Sequence, residues 1–134
     1  MSNIEYLRTQ TVLFVEDEEL ARDVLAKILT KLFKKVITAA NGQEGLENFN
    51  KEKNTDEPID LIISDIMMPK MTGFELFEAL KADESLKDIP FIILTAKGQD
   101  SYFEEGQEKG ILHILTKPFS PRALLGTTKE ILGE

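Results

Sequence analysis

Five short apolar runs punctuate the chain: TVLFV (Thr11 to Val15), KVITA (Lys35 to Ala39), IDLIIS (Ile59 to Ser64), PFIILT (Pro90 to Thr95) and GILHILT (Gly110 to Thr116). In three of them hydrophobic residues follow one another instead of alternating with polar ones. That is the pattern of parallel strands buried on both faces. The stretches between the runs read as helices. Leu20, Ala21, Val24, Leu25, Ile28, Leu29 and Leu32 recur at helical spacing and form one apolar stripe. Thr72 with Glu75 three residues on predicts a capping box at the start of GFELFEALKAD. Ser120 and Pro121 form an N-cap and first-turn pair for the last helix. GQEGLENFN reads as a short helix, and KGQDSYFEEGQEKG, with its three glycines, as the least regular one. Strand and helix alternating five times predict a doubly wound α/β domain, with five parallel strands and helices on both faces. The expected strand order is the flavodoxin-like 2-1-3-4-5. The domain takes in residues 11–134, after an N-terminal extension over residues 1–10.

Such sheets place their sites beyond the carboxyl ends of the strands, at a topological switch point. The residues that end each strand therefore matter. The first strand runs into Glu16, Asp17, Glu18 and Glu19, the third into Asp65, the fourth into Thr95, and the fifth into Thr116 and Lys117. The second ends in two alanines. In the expected order the first and third strands are neighbours, which brings Glu16 and Asp17 to Asp65. Glu18 and Glu19 are explained by the positive end of the helix they open. Carboxylates about 5 Å apart repel by about 3 kcal/mol per pair at an effective dielectric near 20. A hard divalent cation relieves that cost, and Mg²⁺ suits a few carboxylates that keep water and accept a phosphate oxygen.

Composition narrows the classes further. The chain has no cysteine and one histidine, His113, which excludes thiolate chemistry and a multi-histidine metal site. Its 24 acidic and 16 basic residues give a net charge of −8, a field that repels a nucleic-acid backbone. No apolar run approaches a membrane span, and the N-terminus lacks the apolar core of a signal peptide. The expectation is a cytoplasmic protein with no direct nucleic-acid or membrane contact.

The stretches VLFVEDEE, LIISDIMMPKMTGFEL, FIILTAKG and LTKPFSPRALL, in this order, resemble the receiver domain of bacterial two-component response regulators, of the CheY type. The resemblance covers the chain from Thr11 to Leu132. It implies that Asp65 accepts a phosphoryl group from a histidine kinase or phosphotransfer protein. It implies that Asp17 binds Mg²⁺ directly, that Glu16 is its partner acid, and that the backbone carbonyl of Met67 completes the protein ligands. Thr95 would hydrogen-bond a phosphoryl oxygen, and Lys117 would pair with Asp65 or the phosphoryl group. The Lys117–Pro118 bond lies where the family usually has a cis peptide. The output face would be formed by the fourth helix, fifth strand and fifth helix of the repeating unit.

Some positions depart from the family pattern. Ile114 stands where an aromatic residue is common, and its β-branch restricts the rotamer change that an aromatic switch needs. Glu16 stands where Asp is commoner. Met67 and Lys97 occupy positions that tune dephosphorylation. His113 reads as an ordinary strand side chain, and Met67 and Met68 as packing residues. The start at Met1 and the end soon after a capped helix suggest a free-standing regulator.

Three other readings compete for the same residues. A degenerate receiver would serve as a binding module. A Mg²⁺-dependent aspartyl phosphohydrolase of the haloacid dehalogenase type places its nucleophile after the first strand, with a second acid two residues on. Here that pair would be Asp17 and Glu19, which leaves Asp65 unexplained. A flavodoxin-like nucleotide binder needs a phosphate loop where this chain has acids.

Overall fold

The computed structural model describes residues 3–84, 87–96, 100–111, 113–117 and 120–132. The first half runs α1 (Asn3–Leu7), β1 (Thr11–Val15), α2 (Glu19–Leu32), β2 (Lys35–Ala39) and α3 (Gly42–Glu52). The second half runs β3 (Leu61–Asp65), α4 (Gly73–Lys81), β4 (Phe91–Ala96), α5 (Asp100–Glu108), β5 (His113–Lys117) and α6 (Pro121–Leu132). The five strands are parallel and ordered β2-β1-β3-β4-β5, the flavodoxin-like order expected.

The consecutive apolar residues are explained by the pleat, which sends neighbours to opposite faces. Leu13 and Val15 of β1, Ile62 of β3 and Ile93 of β4 join Phe49 of α3 and Phe74, Leu76 and Leu80 of α4 in one core. Val12, Phe14, Ile63, Ile92 and Leu94 join Leu29 of α2 and Leu124 of α6 in the other. Both faces are covered, so the central strands have no polar side.

The helix caps follow the sequence. Asn41 caps α3 by accepting from the Glu44 amide at 2.8 Å. Thr72 and Glu75 form the full capping box of α4. The Ser120 hydroxyl accepts from the Ala123 amide at 3.1 Å. Two features differ from expectation. The apolar stripe of α2 is two ridges wide, and the sheet covers only one. Leu29 is buried and Leu25 and Leu32 pack beside it, whereas Leu20 and Val24 remain 70% and 52% exposed. The extension also contains a short helix, α1, whose Leu7 is buried in the second core.

Candidate functional site

The carboxyl ends of β1, β3 and β5 converge as their order requires. Glu16 follows β1, and its amide donates to the Ala39 carbonyl of β2 at 3.0 Å, which prolongs the ladder past the strand. Its side chain is buried. One carboxylate oxygen accepts from the Glu18 amide at 3.2 Å, and the other pairs with the Lys117 ammonium. Asp17 is exposed beside it. Asp65 is the last residue of β3. Its Oδ1 accepts from the Ile66 amide at 3.0 Å, and its Oδ2 accepts from Lys117 at 3.0 Å. Ligand oxygens of Glu16, Asp17 and Asp65 lie within 4.8 Å of one another.

Lys117 ends β5 and reaches across β4 to both acids. Burial alone pulls its ammonium down, but the hydrogen bonds and charges of Glu16 and Asp65 outweigh burial and hold it above the ordinary lysine value. It therefore stays charged at neutral pH and offsets part of the repulsion among the three carboxylates. The donor set is all oxygen, partly open to solvent, and fits a hard divalent cation with room for water.

The loop after β3 sets Asp65 in place. The Gly73 amide donates to the Ile66 carbonyl at 2.8 Å. A Cβ on Gly73 would lie 2.2 Å from the Asp65 carbonyl oxygen, so only glycine permits this approach. Lys70, with φ of 68°, turns the loop through the left-handed region.

Thr95 is buried near the end of β4, one residue beyond the partner of Asp65 in the register. Met68 packs into the first core as expected. Met67, expected to be a packing residue, is instead 54% exposed, two residues past the end of β3. His113 opens β5 at the far end of the strand from Lys117. Ile114 packs against the first core and lies under α5, where a Cβ on Gly106 would meet it at 3.4 Å. Lys97 and the Lys117–Pro118 bond lie outside the described residues. Sequence reasoning missed Arg22. Its guanidinium donates to the carbonyls of Glu16 at 3.0 Å and Asp17 at 3.5 Å, tying the acidic loop to α2. An arginine in the first turns of a helix that follows an acidic loop was the available signal.

Residues 12–129 match the response regulator receiver domain. The chain belongs to that family. It is 32% identical over 123 residues to the probable chemotaxis protein CheY of Rhizobium etli, covering 91% of this chain and 92% of that one. It is 38% identical to the phosphate regulon transcriptional regulatory protein PhoB of Pseudomonas aeruginosa, over 92% of this chain. It spans only 52% of PhoB, about half the length of that relative. The structure of the chemotaxis response regulator CheY4 of Vibrio cholerae superposes with a TM-score of 0.78 at 34% identity, covering 92% of this chain and 98% of that one. The chain is thus a receiver domain of two-component signalling, a family of signalling switches that work with histidine kinases or phosphotransfer proteins. No helix among the described residues is long and apolar enough to cross a membrane.

Proposed function

We propose that this receiver domain is a phosphorylation-dependent switch whose acceptor is Asp65. The observation that carries the reading is the convergence of Asp65, Glu16 and Asp17 with the ammonium of Lys117. An Asp65 carboxylate oxygen attacks the phosphorus of a donor phosphohistidine. The P–O bond forms, the P–N bond breaks, and the imidazole leaves with its electron pair and takes up a proton. Asp17, Glu16, Asp65 and the Met67 carbonyl would hold Mg²⁺, which neutralises charge on the transferring group when bound. Lys117 steadies the acceptor before transfer and pairs with a phosphoryl oxygen after it. Thr95 offers its hydroxyl to another. Arg22 keeps the Glu16–Asp17 loop in register by holding its carbonyls.

The donor is a histidine kinase or phosphotransfer protein. Leu20 and Val24, exposed on α2 directly after the acids, offer it an apolar contact beside the acceptor. The downstream protein reads the α5–β5–α6 face. The domain works in the cytoplasm, and its charge of −8 argues against direct contact with nucleic acid.

The test is intact-mass analysis after incubation with acetyl phosphate, with and without Mg²⁺, on wild type and Asp65→Asn. The expected result is a hydroxylamine-labile phosphoryl adduct that requires both Mg²⁺ and Asp65. Absence of an adduct, with no release of free phosphate, would establish a degenerate receiver used as a binding module.

A further inference from the structure

We propose that the furrow between α4 and α5 is a docking site for a basic amphipathic helix of a partner protein. The furrow holds about 210 Å³ on the face of the sheet that carries both helices. Its apolar part is Ile66, Met67 and Phe74. Met67 is 54% exposed there and is one of four large hydrophobic residues left in solvent among the described residues. Its rim carries Glu75, Glu78 and Glu105, all exposed.

The furrow already shows how it treats an ammonium. Lys109 of the same chain lies 5.9 Å from the Phe74 ring centre and pairs with Glu78. The Glu78 hydrogen bond comes first among the effects that hold Lys109 above its ordinary lysine value, with burial opposing and the charges of Glu105 and Glu108 adding to it. Among the described residues one lysine lines the furrow against three exposed rim carboxylates, of which Glu75 also accepts from the Thr72 amide, so the rim keeps a net negative charge. A segment with an apolar anchor flanked by Lys or Arg complements both parts of the surface. The lining comes from the Ile66–Met67 loop, α4 with its N-cap Thr72, and α5 with Lys109 just beyond its end, and no strand residue lines it. An extended segment would leave its backbone groups unpaired there, whereas a helix satisfies its own.

The experiment titrates isotope-labelled protein with a synthetic Leu/Lys amphipathic helix and follows backbone amide shifts. Metal and phosphoryl donor are left out, so the outcome is independent of the chemistry at Asp65. The shifts are expected at residues 66–67, 74–78 and 105–109. Replacing Glu78 and Glu105 together by Gln should weaken binding about tenfold, the loss of two rim charge pairs. The matched pair Glu44→Gln and Glu47→Gln on α3 removes the same charge elsewhere and should leave the affinity unchanged. Met67→Gln should weaken binding several-fold while both helices keep their amide spectrum. Shifts spread over the acidic surface, equal weakening by the two double variants, or no binding would each overturn the proposal.

Discussion

Asp65 reaches its position because Gly73 has no side chain. The two residues are joined by a loop so tight that a methyl group would sit 2.2 Å from the Asp65 carbonyl oxygen and 3.1 Å from Ile93 Cδ1. Backbone cannot yield there as a flexible side-chain tip can. Gly73→Ala should therefore destabilise the domain by about 2–3 kcal/mol in urea unfolding, an overpacking penalty. It should also lower the rate of adduct formation with acetyl phosphate. Lys117 sets the charge of the site. Its removal leaves the buried Glu16 carboxylate facing Asp65 with no cation, and breaking a buried pair in this way costs about 3 kcal/mol. Lys117→Ala should thus melt earlier in the absence of metal. Mg²⁺ should raise its melting temperature more than that of wild type, since an ion binding only the native state stabilises it by mass action. An equal Mg²⁺ shift in both proteins would remove Lys117 from the site.

Each element contributes through its ends as much as through its face. The capping box of α4 holds the start of the helix that begins where the Asp65 loop closes. Thr72→Ala should cost about 1 kcal/mol, the usual worth of an N-cap hydroxyl. The urea midpoint measures it. The short α1 contributes through one residue. Leu7 fills the second core beside Leu61 and Leu124, and a helix of five residues has no stability without that contact. Leu7→Ala should cost about 2–4 kcal/mol. A smaller loss, within a few tenths, would mean that α1 is detached in solution. At β5, Ile114 packs against the core under α5. A β-branched side chain in that setting resists rotation, which sets Ile114 apart from the aromatic residue common at this position.

The molecule as a whole sets a partly buried lysine, Lys117, among its acids, and pH reveals this. Lys117 has a higher pKa folded than the 10.5 of a free lysine. Between those values the native state keeps a proton that the unfolded chain has lost. Stability from this pairing is therefore complete below about pH 10.5 and declines as pH rises through the folded value. The measurement is the difference between wild type and Lys117→Met. The variant should lose less stability than wild type on alkaline titration above that pH.

Local patterns determined much of this protein. Uninterrupted apolar runs require burial on two faces, and capping residues mark where helices start, because both are short-range effects of solvation and backbone hydrogen bonding. Strand order, capping box and the clustering of Glu16, Asp17 and Asp65 were legible for that reason. Other features were decided only by tertiary structure. Helical periodicity assigns Leu20 and Val24 to the same stripe as Leu29, but only the sheet's edge determines which ridge it covers. Residues 1–10 carry too few apolar positions to announce a helix, and α1 exists because the second core has a place for Leu7. Arg22 and the exposed side chain of Met67 belong with these. Where a long side chain points depends on which groups the fold brings within reach, and the chain's own periodicity does not contain that information.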